Sequence, residues 1–110
     1  MSSSGYTPNI GGGPQPSHLI TDGTAVKKTA NGTVSAANAA RKSITIQNHG
    51  TNPLHIAMGA TASASVVHFI LKASAAEYDG SGGTVNIDSY TGQITAWSSS
   101  GTKFTFAEFV

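Results

Sequence analysis

Beyond Arg41 the chain alternates apolar and polar residues at period two, and that pattern narrows its fold more than any other property of the sequence. In Ser43-Ile44-Thr45-Ile46-Gln47 the isoleucines share one face and the polar residues the other, which predicts a half-buried strand. After the turn Asn48 to Asn52, Leu54, Ile56 and Met58 repeat the pattern, so the two segments are expected to pair as a hairpin. Val66 to Lys72 is a denser apolar run rich in β-branched residues, which predicts a central strand covered on both faces. Past the glycine loop Asp79-Gly80-Ser81-Gly82-Gly83, a strand carrying Val85 and Ile87 turns through Tyr90 to Gln93 into Ile94 to Trp97, giving a second expected hairpin. Lys103 to Phe109 closes the chain with Phe104 and Phe106 on one face.

About six short strands without a long helix between them predict an all-β protein, an antiparallel β-sandwich or jelly roll; parallel crossovers have no room. Trp97 and Phe109 fall out of phase with their inward neighbours and are expected on the far sides of their strands, either covered by the second sheet or, as favoured here, in a subunit interface.

The first part of the chain reads differently. Only five Leu, Ile, Val or Phe residues occur in 1–40, against sixteen in 41–110, so the core must be built by the later stretch. Residues 1–24 are rich in Gly, Ser and Pro and carry the scattered apolar residues Tyr6, Ile10, Leu19 and Ile20; they read as an extended or flexible N-terminal arm that docks on a partner, ahead of a sandwich domain over 25–110. Within that domain Asn31-Gly32 is a turn signal between short segments around Val26 and Val34, and Ala36 to Ala40 could form one helical turn. Sixteen large apolar residues offset the conformational entropy of the globular part only narrowly, so docking or oligomerisation is an expected supplement.

Charge and composition exclude several roles. A net charge of +1 with 10% charged residues offers no basic field for nucleic acid. With no cysteine there is neither a disulfide framework nor a thiolate metal site. The start Met-Ser-Ser-Ser-Gly has no signal-peptide pattern, and no apolar run approaches the ~18 residues of a membrane span, so synthesis in a cytoplasm and no membrane partner are expected.

No residue pattern predicts catalysis or a cofactor. His18, His49, His55 and His68 lack the spacing of a metal site. Asp79 to Gly83 lacks the alternating oxygen ligands of a calcium loop, and its glycines are read as positive-φ residues of a wide turn. Neither a phosphate-binding glycine loop, nor a nucleophile elbow, nor a carboxylate pair occurs, so the chain is read as a non-enzyme. Tyr78, Tyr90 and Trp97 could stack on sugars, whereas stacking on single-stranded nucleic acid would need interleaved basic residues.

Asn38-Ala39-Ala40-Arg41-Lys42-Ser43-Ile44-Thr45-Ile46-Gln47-Asn48, followed by Gly50-Thr51-Asn52-Pro53-Leu54 and Gly59-Ala60-Thr61-Ala62-Ser63, resembles a pattern of small virion proteins of tailed bacteriophages. Asp79 to Gly83, Tyr90-Thr91-Gly92 and Ser99-Ser100-Gly101-Thr102 are similar in order and spacing to later turns of those proteins. Where relatives often have Pro before the basic pair, this chain departs with Ala39. The resemblance implies a β-sandwich or jelly-roll virion component, commonly a homotrimer. Its possible roles are capsid cement, head-fibre base or tail appendage; the thin core and long arm favour cement that binds the major capsid protein, with a head-fibre, spike or tail domain contacting host glycan as the alternative.

Overall fold

The computed structural model describes the backbone of residues 24–29 and all of residues 31–110. These residues form eight strands and no helix: β1 (Thr24–Thr29), β2 (Gly32–Ser35), β3 (Ser43–Asn48), β4 (Leu54–Met58), β5 (Phe69–Leu71), β6 (Thr84–Asp88), β7 (Ile94–Trp97) and β8 (Lys103–Phe109). They build two four-stranded antiparallel sheets, ordered β1-β8-β3-β6 and β2-β7-β4-β5. Every connection except β4–β5 crosses from one sheet to the other, which is the winding of a jelly roll.

The alternation places one face of each strand inward. Ile44, Ile46, Ile87, Phe104 and Phe106 of the first sheet meet Val34, Leu54, Ile56, Leu71, Ile94 and Ala96 of the second in a single core. Met58, Val85 and Tyr90 pack against its rim. Since side chains at i and i+2 share a face, the inward sets of β3, β4 and β8 are the ones that period two predicts.

Pairing departs from the sequence expectation. The expected hairpin between Ser43–Gln47 and Leu54–Met58 does not form; β3 pairs with β6 and β8, while β4 lies in the opposite sheet beside β5 and β7. The second expected hairpin also opens, because β6 and β7 belong to different sheets. The physical reason is common to both: alternation fixes which face is buried, and two strands on opposite sides of one core bury their faces as completely as two neighbours do.

Val66 to Lys72 is not a central strand. Only Phe69–Leu71 is extended, it lies at the edge of its sheet, and Ile70 is 60% exposed. A continuous apolar run carries no periodicity with which to tell a strand buried on both faces from one whose outer face is open. Ala36–Ala40 forms no helical turn; Arg41 N–H bonds to the Asn38 carbonyl at 3.0 Å and the Asn38 side chain accepts from Ala40 N–H at 3.0 Å, an Asn-centred turn that leads into β3.

Candidate functional site

Two polar centres close the ends of the sandwich. Arg41 is 2% exposed, and its guanidinium places all five donors. Nε donates to Glu108 Oε2 at 2.7 Å, Nη1 to the carbonyls of Tyr90 and Gly92, and Nη2 to Ser35 Oγ and the Ala36 carbonyl. One side chain thereby joins the end of β2, the β6–β7 turn and β8. Burial pushes the Glu108 carboxyl up, but hydrogen bonds from Arg41 and Ser35 and the guanidinium charge outweigh it, holding the group below the ordinary carboxylate range.

At the other end Asn48 is fully buried. Its Nδ2 donates to the carbonyls of Asn52, Leu71 and Lys72 at 2.8–3.1 Å, and its Oδ1 accepts from Gly50 N–H and Thr102 Oγ1. A methyl on Gly82 would overlap the Asn48 carbonyl oxygen, and one on Gly83 would stand 2.7 Å from Lys72 N. Of the glycines in the 79–83 loop, only Gly80 has positive φ, at 84°. Gly82 and Gly83 are therefore small because backbone passes against backbone, a correction to their reading as positive-φ turn residues.

Beside this end lies an open cleft of about 240 Å³ lined by Gly50–Asn52, Glu77 and Ser100–Lys103. Its one ion pair, Lys103 Nζ to Glu77 Oε1 at 3.0 Å, is solvent-exposed on both sides. The hydrogen bond to Glu77 holds the Lys103 ammonium above the ordinary lysine range. Hydroxyl and backbone groups make up most of the remaining wall, which suits it to polar contact rather than to proton transfer.

Each described histidine is tied into structure. His49 Nε2 lies 2.8 Å from Thr105 Oγ1, and its ring stacks on Tyr78 with centroids 5.1 Å apart. His55 Nδ1–H donates to the Ser63 carbonyl at 3.1 Å, and His68 Nδ1 accepts from Met58 N–H at 3.0 Å. No group of three or more His, Cys, Asp or Glu side chains comes together among the described residues. Asp79 caps its own loop: bonds from the Ser81 hydroxyl and N–H, with a further one from Ala76 N–H, hold its carboxyl below the ordinary range. No helix among the described residues is long and apolar enough to cross a membrane.

The sequence-derived contact residues fall in three places. Trp97 lies on the outer face of β2-β7-β4-β5, half-buried, opposite His55, with ring centroids 5.2 Å apart at 64°. Phe109 lies on the outer face of the other sheet, opposite Ser43, and is also half-buried. The structure brings neither near the other. Tyr6, Ile10, Leu19 and Ile20 lie outside the described residues.

Sequence reasoning passed over Ile70, which continues the row from Trp97 through His55 to the sheet edge. Farther along the same face Thr95 is outward yet buried, because the chain after β4 crosses over it. Its Oγ1 donates to the Ala60 carbonyl at 2.6 Å and accepts from Ala62 N–H at 2.9 Å. That segment leaves Ile70 exposed, with His55 and Trp97 half-buried beside it, and its own Val66 is 40% exposed.

No family model matches the chain, and neither a curated protein nor a solved structure matches it.

Proposed function

We infer that this chain is a structural component of a tailed-bacteriophage virion: a cement or decoration protein, made in the host cytoplasm, that binds the major capsid protein on the capsid surface and assembles as a homotrimer. One observation carries the reading. The segments that resemble phage virion proteins are those that hold the jelly roll shut. Arg41 bonds to Tyr90 and Gly92, Asn48 bonds to Gly50, Asn52 and Thr102, and Gly82 packs on Asn48. The shared pattern thus encodes the framework of one fold, and that framework accompanies a charge-poor chain suited to repeated protein contact. Weak contacts suffice in such a role, since identical copies on a symmetric lattice add their affinities.

A second reading, a fibre or tail domain that contacts host glycan, is favoured by Tyr78, a residue 43% exposed whose ring stacks on His49. Purified particles separate the two. A cement protein stays with intact heads through dilution and washing, and removal of residues 2–20 releases it. Recovery with tails, or specific retention on immobilised glycans that is lost in Tyr78→Ala, would replace the cement reading with the second.

A further inference from the structure

Charge is divided unequally between the two sheets. The strands of β1-β8-β3-β6 carry Lys27, Lys28, Asp88, Lys103 and Glu108, whereas β2, β7, β4 and β5 carry no Asp, Glu, Lys or Arg. The neutral stretches are long: nothing charged lies between Lys42 and Lys72, or between Asp88 and Lys103.

The sheet edges follow the same division. In the first sheet, edge strand β1 carries Lys27 and Lys28, and edge strand β6 ends in Asp88. Charges at such positions keep a free edge from pairing with another chain. Edge strands β2 and β5 of the second sheet have no such guard, and β5 presents Ile70 to solvent.

We propose that the outer face of β2-β7-β4-β5, centred on Ile70, His55 and Trp97, is the surface on which a second copy of this chain docks. Loss of charge at the centre, with aromatic and aliphatic groups there and hydroxyl groups at the rim, is the composition of a protein interface. Val66 lies in a turn closed by the bond from Ser63 N–H to its carbonyl, and the Ser63 carbonyl accepts from His55, so Val66 borders the centre; Thr33 lies farther out on the same face. The neutrality also points to the occupant. Two identical charged faces repel, and an uncharged partner face is what a second copy supplies by construction. Phe109 has no part in this contact, because it lies on the opposite, charged sheet. If both outer faces bound copies of the chain, the assembly would run on as an open filament rather than close.

The size of the face sets the strength. Four strands about 4.8 Å apart and about five residues long cover roughly 300 Å². A standard interface takes ~800 Å² from each partner, so this contact is weak and answers to concentration.

The inference does not rest on the virion reading, and its test uses the free, full-length chain. Sedimentation velocity over a concentration series that reaches the high-micromolar range is expected to show a rising mass. Ile70→Lys and Val66→Lys, each at an exposed position, are expected to move the midpoint of association at least tenfold higher while leaving the far-ultraviolet circular dichroism spectrum unchanged. Thr84→Lys, exposed on β6 of the other sheet, leaves the midpoint where it is. A chain monomeric at every concentration overturns the proposal, as does association that Ile70→Lys and Val66→Lys leave intact. So does a monomer that uses Ile70 to bind a different protein, such as a capsid subunit.

Discussion

A guanidinium out of water is costly unless each of its N–H groups finds an acceptor, and Arg41 meets that condition with acceptors drawn from three separate parts of the chain. Its value lies in the alternatives it excludes: if β8 slipped by one residue, Glu108 would turn outward and leave a buried cation unpaired. Glu108→Gln keeps the shape and removes the charge, at an expected cost of about 2 kcal/mol at neutral pH, read from denaturant midpoints. The pH dependence has a definite sign. Because the folded Glu108 carboxyl sits below its ordinary value of about 4.5, its contribution is full above that pH and is lost as pH falls through the lower folded value. Thermal scans between neutral pH and about pH 3 should therefore show the wild type losing its advantage over Glu108→Gln as acid is added. Asp79, likewise held low, contributes to the acid slope of both proteins and cancels from the difference.

Pairing between elements was less legible than burial within them, and the reason can be traced. Ile44, Ile46, Leu54, Ile56, Phe104 and Phe106 announce their inward face by period two alone, and all six are core residues. Nothing in that alternation says that the turn after Asn48 carries the chain from one sheet to the other. That information is held by Asn48, a polar residue that reads as turn surface and is in fact the fully buried post around which Gly50, Asn52, Lys72 and Thr102 are arranged. Its partners are up to 54 positions away, beyond the reach of any local pattern. The outward row of Trp97, His55 and Ile70 was half legible for a similar reason: Trp97 betrays its outward face by phase, whereas Ile70 is hidden in an apolar run. The glycine loop tests the account of this corner. Gly82→Ala forces the loop off the Asn48 carbonyl and is expected to cost more than 3 kcal/mol, as overpacking does where backbone cannot yield. Gly80→Ala meets open space and bears only the strain of positive φ, about 1 kcal/mol. Urea unfolding of the two variants gives the comparison, and equal losses would refute the close-packing explanation.

At the scale of the molecule, the topology makes the two termini of the sandwich depend on each other. β1 is the outermost strand of its sheet and pairs along its whole length with β8, from Thr24 opposite Glu108 to Thr29 opposite Lys103. Apart from β4–β5, each strand must find partners across intervening chain, so closure is non-local and folding is expected in the slow range of all-β domains, milliseconds to seconds. The first strand is then a cover rather than a nucleus: it shields the backbone of β8, whose other side is already bonded to β3. That role separates two truncations that differ by about ten residues. Removing residues 2–20 leaves β1 whole, and the thermal midpoint is expected to stay within a degree or two of the full chain. Removing residues 2–30 strips β1 and turns β8, with Phe104 and Phe106 in it, into a free edge beside the core, where an unpaired ladder invites another chain to add to it. The longer truncation should unfold at lower temperature and form concentration-dependent aggregates visible by light scattering, while the shorter one stays clear. If both behave like the full chain, the pairing of β1 with β8 contributes nothing to stability, and the sandwich must be complete with seven strands.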